Sequence, residues 1–350
     1  MGYQNVATPR FYIDQFSYLL ASGKVDRSYY DGHTLLDQNN VFNYPGLVGL
    51  NPASEGAVLS SPNYRSFDIP TGLNTSTPVG IKTGYVAILG HTLYSSEVRA
   101  SAEWHDGNGD KKGITKVDIV NLDGGTGSNY PGLDGFTIYK FTTEPDSASQ
   151  SRFFRSYYHH DGEWTANINA LSWGFIYDMP HSPDLSLTMS HEYDGIKQVT
   201  TKGGSTLSNA NYYKSPKWGD KEAWQLGDWS FGLYASSRRT WDLSFSYVSD
   251  SDLEPYNYFG GKWSSDTGTP THEEPKDNFF QNVLYYTMGG HLPFIFCPDP
   301  SIEYYYDTNN PSHTPRVPEF AICRFDMKSF KRTQVSFKTY NIKIKIVESW

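Results

Sequence analysis

Apolar positions along this chain recur mostly at period two, which predicts strands rather than helices. The run Phe136-Thr137-Ile138-Tyr139-Lys140-Phe141 alternates cleanly, and Trp241, Leu243, Phe245 and Tyr247 fall on one face of a strand that starts near Arg239. Gly84-Tyr85-Val86-Ala87-Ile88-Leu89-Gly90 reads as a short buried strand between glycines, while Ile114–Leu122 carries apolar residues on both faces. Turn clusters separate these runs at Gly107-Asn108-Gly109-Asp110 and Asp123-Gly124-Gly125-Thr126-Gly127. Helical spacing is confined to two places. Phe11 and Ile13 alternate, then Phe16, Leu19 and Leu20 fall three and one apart before Gly23, so a strand followed by a turn of helix is expected there. Later, Asp277 is a candidate N-cap for Phe279, Phe280, Val283, Leu284 and Met288, with Gly289-Gly290 as the stop. Strands are then expected over His291–Cys297, Phe320–Phe325, Gln334–Tyr340 and Asn341–Val347. Neither a heptad nor an internal repeat is evident.

The polar stretch Asp146–Ser151 and the change to a Trp- and Pro-rich composition over Trp164–Trp229 suggest a boundary near residue 165. The expected fold is therefore all-β with a minor helix. A β-sandwich or jelly-roll-like domain would span 1–165 and a second β-rich domain with one short helix 166–350, a single large sandwich being the alternative. Glu254–Glu274 reads as a polar, Gly-containing insertion.

Composition sharpens this picture. Of 350 residues, 27 are Tyr, 20 Phe and 9 Trp, and aromatics reach 16%, too many for a disordered chain. The net charge of −9 argues against a general nucleic-acid-binding surface. No apolar run approaches the length of a membrane span. Two Cys exclude a disulfide framework and a Cys-rich zinc site. Met1–Val6 lacks a basic n-region and an apolar h-region, so Sec export is not expected; Val6 stands where myristoylation wants Ser or Thr. Without export, Asn74-Thr75-Ser76 is a chance match to a glycosylation acceptor.

Few constellations carry chemistry. His159-His160-Asp161-Gly162-Glu163 is the densest group of metal-capable side chains, but adjacent histidines face opposite ways on a strand and share no face of a helix, which favours a solvated turn. Asp106, Asn108 and Asp110 stand at the first, third and fifth positions of a calcium-type loop, yet Lys111 and Val117 occupy the sixth and twelfth, so a β-turn or a looser calcium loop remains. Glu273-Glu274 and Asp250/Asp252/Glu254 are carboxylate groups in or beside the polar insertion. Gly124-Gly125-Thr126-Gly127 echoes a phosphate loop without the helix that loop requires. Cys297 and Cys323 sit in expected strands as small apolar residues, neighbours in one sheet at most. Residues 321–350 carry seven Lys/Arg against Asp326 and Glu348, a net of +5, which leaves −14 for the remainder. Within them Ile342, Ile344 and Ile346 point one way and Lys343 and Lys345 the other. That pattern reads as an edge strand guarded by lysines or, with Lys338, as a basic contact face for an acidic partner or a DNA channel. Tyr256, Tyr258 and Phe259, and Tyr304, Tyr305 and Tyr306, stand in expected loops and are candidate interface or ligand aromatics.

Taken in order, several of these features resemble structural proteins of tailed-bacteriophage tails, in particular distal-tail or tail-tip (baseplate) ring proteins. The resemblance rests on Arg239-Thr240-Trp241-Asp242-Leu243-Ser244-Phe245, the helix with Phe279, Phe280 and Leu284, Gly290-His291-Leu292-Pro293-Phe294-Ile295-Phe296 followed by Asp299, Phe320–Phe325, and the terminal hydrophobic/Lys strand. Trp173–Pro180 and Glu192–Gly195 resemble segments of marine-type phage virion proteins. Together these cover about half the chain; the first 165 residues carry no such likeness, and the 254–274 insertion departs from the compact pattern.

The resemblance implies a non-enzymatic virion component without cofactor or metal, assembled in the host cytoplasm. It would form a closed, six-fold ring and join the tail tube to fibres or host-binding parts, with other tail proteins and a host-surface glycan as partners. DNA contact would follow only if the basic face lines a channel. A carbohydrate-binding adhesin or capsid decoration protein using Tyr304–Tyr306 is the alternative, and a glycan-cleaving enzyme with Asp252 and Glu273 as acid and base is the third reading.

Overall fold

The computed structural model describes residues 6–22, 57–61, 64–70, 84–105, 120–121, 135–141, 153–168, 170–192, 196–210, 217–218, 221–222, 238–254, 261–263, 270–272, 278–301 and 319–349. Strands dominate, and the expected all-β class with a minor helix is what the chain adopts. The principal sheet has eleven strands. In chain order they are β1 (Arg10–Asp14), β2 (Gly84–His91), β3 (Val120–Asn121), β4 (Gly135–Phe141), β5 (Ala170–Asp178), β6 (Thr188–Glu192), β7 (Arg238–Ser249), β8 (Phe294–Cys297), β9 (Ala321–Phe325), β10 (Arg332–Ser336) and β11 (Thr339–Glu348). The spatial order is β6-β7-β11-β9-β8-β1-β5-β2-β4-β3, with β10 also paired to β11, and the pairings are antiparallel throughout. Strands from both sides of residue 165 thus share one sheet. A separate three-stranded sheet holds Tyr64–Pro70, Phe153–His159 and Arg99–His105. Four two-stranded pairs complete the described strands.

The middle strands are buried on both faces, which is why they read as apolar runs. Phe11 and Ile13, Phe294 and Phe296, and Ala321, Cys323 and Phe325 enter one core, while Tyr12, Ile295, Cys297 and Ile322 enter the other. The second core also holds Tyr85, Ala87, Leu89, Phe136, Ile138 and Phe320. Phe320, just before β9, and Phe136 on β4 have ring centroids 5.3 Å apart, although five strand steps separate them in the sheet. In a flat sheet five steps span about 24 Å. The sheet therefore curls around the second core. At its other end it bends toward the opposite face: Trp241 on β7 lies 5.2 Å from Phe296 on β8, three steps away.

Two short helices lie in this frame. α1 (Gln15–Ala21) follows β1 directly, as the change of spacing after Ile13 predicts. At the junction Asp14 is buried and accepts from the Ser17 hydroxyl and, at 3.4 Å, from the Trp173 N–H. α2 (Asp250–Leu253) is capped by Ser249, whose oxygen accepts from the Ser251 N–H at 3.3 Å. A single wider turn, a π-helix over Phe280–Tyr285, covers the first core with Phe279, Val283 and Leu284. Its first turn is held by Asn278, whose Oδ1 accepts from the Gln281 N–H at 2.9 Å; Asp277, the expected cap, lies outside the described residues. Gly289 and Gly290 follow at φ 69° and 95°, the left-handed geometry of the expected stop.

Three strand expectations are corrected. Tyr247 does not join Trp241, Leu243 and Phe245 inside: a bulge between Phe245 and Val248 puts it at φ 62° and 75% exposed. The last hairpin turns at Phe337-Lys338 rather than at Tyr340/Asn341, because Lys338 takes φ 55° and β11 starts at Thr339. The lysine-bearing strand is not an edge. β11 pairs along one side with β7 and along the other with β9 and then β10, so the edge is β10.

The C-terminal strand is fixed by a charge cluster at the start of β7. Arg239 donates from Nε and Nη2 to Glu348 at 3.0 and 2.7 Å, from Nη1 to Glu319 and from Nη2 to the Phe320 carbonyl at 3.3 Å, and it stacks over Trp241. The Arg239 backbone N–H also donates to Glu348 at 3.0 Å. Burial works against the Arg239 charge, and the Glu348 carboxylate more than offsets it.

Two substitutions test this account. A Cβ at Gly174 would stand 1.8 Å from the Ile13 carbonyl oxygen, where only backbone can yield, so Gly174→Ala separates β1 from β5 and leaves no cooperatively folded protein in a thermal melt. Glu348→Ala strands Arg239 with one carboxylate in a nearly buried site and costs about 3–5 kcal/mol in denaturant unfolding.

Candidate functional site

The residues that the sequence singles out fare differently in the structure. Tyr256, Tyr258, Phe259, Tyr304, Tyr305 and Tyr306 lie outside the described residues, as do Asp106, Asn108, Asp110, Gly124–Gly127, Glu273 and Glu274. His159–Glu163 forms the turn between the strands Phe153–His159 and Trp164–Ile168: Gly162 sits at φ 143° and exposed Asp161 reaches Arg99 at 3.6 Å. No group of three or more His, Cys, Asp or Glu able to hold a metal occurs among the described residues. Asp250 and Asp252 belong to α2, and Glu254 pairs with Arg332.

Lys338, Lys343 and Lys345 lie among the described residues. Ile342, Ile344 and Ile346 are buried and Lys343 and Lys345 lie on the opposite face, the alternation expected from sequence. Lys343 stands exposed opposite Ser244. Lys345 donates to Asp326 at 2.7 Å, which raises its amine above the usual range, with Glu192 and Asp242 adding to the effect. Lys338 belongs to the hairpin tip instead, with Nζ 5.6 Å from the Phe337 ring and its carbonyl accepting from the Asp250 N–H at 3.0 Å. The three lysines therefore do not form one basic strip.

They border a larger feature. Beyond the end of β9 the sheet continues as a tongue of three strands, β10, the first half of β11 and the last half of β7. Every residue of β10 is exposed, and its outer side pairs with no strand among the described residues. At the tip Phe337 is 82% and Val335 44% exposed, close in register to the bulged Tyr247, whose N–H donates to Asn341 at 3.1 Å. Solvent-facing aromatics gathered at one end of a sheet mark a contact surface more than scattered ones do. Sequence reading missed them for a definable reason: Tyr247 continues an inward alternation until the bulge reverses it, and Phe337 falls inside an expected strand. The four residues Ser336-Phe337-Lys338-Thr339 carry no Gly, Asn or Pro that would have announced a turn.

Several other titratable groups among the described residues are buried or paired. Cys297 and Cys323 lie on adjacent strands but enter opposite cores, so they cannot join in a disulfide. Burial pushes the Cys297 thiol up to about 12 and the Cys323 thiol well above its ordinary value. Burial likewise raises the phenols of Tyr12 and Tyr85. Arg10 forms a bidentate pair with Asp178 at 2.5 and 2.8 Å, and nearby Lys140 is lowered by desolvation and by the Arg10 charge. No helix among the described residues is long and apolar enough to cross a membrane.

Each buried thiol and phenol keeps its proton to a higher pH in the folded than in the unfolded chain. The stabilisation is complete below the ordinary values of 9.0 and 10.0 and is lost as pH rises past them. The melting temperature should therefore hold up to about pH 9 and fall steeply above it, and a thiol reagent should find no accessible Cys at pH 8 until denaturant is added, then two.

Compared with protein families, curated proteins and solved structures, the chain matches none of them.

Proposed function

We propose that the chain is a non-enzymatic structural protein of a tailed-phage virion, a tail-tip or baseplate ring component that packs against copies of itself and against neighbouring tail proteins. The observation that carries the reading is the tongue: a broad antiparallel sheet ends in a wholly exposed strand with Phe337, Val335 and Tyr247 facing solvent beside it. A free edge of this kind offers main-chain donors and acceptors to another strand, and the apolar tip supplies area for a contact. The order of motifs from Arg239 to Val347, similar to distal-tail proteins, supplies the class of assembly. The pairing of Arg239 with Glu319 and with buried Glu348 supports the same reading, since these charges are spent on one another.

Negative-stain imaging tests this directly. Purified protein at high concentration should give closed rings, and antibody against the chain should label the tail tip of intact particles. Monodisperse monomers together with unlabelled particles would overturn the proposal.

A further inference from the structure

The principal sheet has a second exposed edge, and it differs from the first in charge. β6 pairs only with β7 among the described residues, with Thr188, Ser190 and His191 exposed and Met189 and Glu192 half-buried. Residues 178–192, which lead into and include β6, carry Asp178, Asp184 and Glu192 and no Lys or Arg. Residues 327–338, which lead into and include β10, carry Lys328, Lys331, Arg332 and Lys338 and no Asp or Glu. Some of these charges are used internally: Asp178 by Arg10, and Arg332 by Glu254. Lys328, Lys331 and Lys338 remain on the basic side. On the acidic side Asp184 accepts from the Ser246 hydroxyl at 2.8 Å, Glu192 stands opposite Arg238, and exposed Asp242 stands between Thr188 and Lys345 in register, so the acidic character of this edge is partly balanced from β7 and β11.

The two edges match in other respects. Each strand has five residues. Each carries a large apolar side chain in solvent, Leu185 fully exposed beside β6 and Phe337 82% exposed beside β10. Within one molecule they cannot meet. β6 lies on the outer side of β7 along Arg238–Asp242, whereas β10 lies on the far side of β11 along Thr339–Ile342, two strands away and displaced toward the opposite end of the ribbon.

We propose that β10 of one copy adds to the β6 edge of a second copy, so that successive molecules join head to tail through a continuous sheet. Main-chain hydrogen bonds would supply the attachment, the opposed charges the orientation and choice of edge, and Phe337 and Leu185 the apolar cover. Because the two surfaces differ, the contact is heterologous; it leaves one edge of each kind open at every step and ends only when the rotation between copies closes a ring. This rests on the self-assembling role proposed above and names the surface that would perform it.

The test is sedimentation velocity on the full chain over a range of concentration and salt. The unaltered protein should associate, less so at high salt. Reversing the basic edge (Lys328→Glu with Lys331→Glu) or the acidic edge (Glu192→Lys with Asp242→Lys) should each weaken association at least tenfold while a cooperative thermal melt is retained, lowered in the acidic-edge variant because Lys345 and Arg238 lose their neighbouring carboxylates. An equimolar mixture of the two variants should associate again, since each reversed edge then meets its complement. Phe337→Ser, at an exposed turn, should weaken association about fivefold and guards against loss of folding in the charge variants. If the protein associates equally well with all these substitutions, the surface assigned here is wrong while self-assembly stands; if the unaltered protein stays monomeric throughout, both are wrong.

Discussion

The structure depends on burying β1, β8 and β9 on both faces at once. A strand in an ordinary one-sided sheet needs only alternate apolar residues, but these three supply apolar side chains at successive positions. Phe11, Phe294 and Phe296 on one side and Tyr12, Ile295 and Cys297 on the other give two cores that share a backbone layer. A large buried apolar side chain contributes about 1.5–3 kcal/mol. Two cores built on the same strands commit that layer to one register, since a slip by one residue would exchange the contents of both. The curl toward opposite faces follows from the same constraint: each core must be closed, and one sheet can close two cores only by bending opposite ways at its two ends.

Legibility in the sequence followed burial. Where both neighbours of a strand are fixed, periodicity was enough: Gly84–His91, Gly135–Phe141, Arg238–Ser249 and Ala321–Phe325 stand where the apolar pattern puts strands, and Phe294–Cys297 does so from its fourth expected residue, His291–Pro293 lying before the strand. The junction of β1 and α1 was legible too, because Phe11 and Ile13 change to helical spacing within a few residues. Pairing was not legible. Nothing in Arg10–Asp14 announces that it lies between β5 and β8, partners separated from it by more than 150 residues, because register across such distances is set by packing and leaves no local mark.

The candidate site was the least legible part, for the reason that makes it a site. The exposure of Tyr247 comes from a bulge and the exposure of Phe337 from a lysine in left-handed geometry, and neither Tyr247 nor Lys338 is a residue type that signals such backbone. Reading Lys343 and Lys345 as edge guards had the right physics and the wrong strand. The edge is β10, which Lys331 precedes and Arg332 opens, and whose remaining residues are Thr, Gln, Val and Ser.

That composition bears on what the edge is for. Edges that must avoid other strands carry inward-pointing charge, proline or a disruptive bulge along their length. Along its length β10 has β-forming Thr333 and Val335 and no proline, and its one irregularity, between Gln334 and Ser336, lies against its own hairpin partner. Its charges are placed at the start and, at Lys338, just past the end, where they select a partner without blocking the strand. β6 follows the same plan with the opposite sign: Thr188, Met189 and Ser190 keep the strand open to pairing and Glu192 closes it. Two open edges of one sheet, guarded at their ends by complementary charges, are protected against their own kind and disposed toward each other.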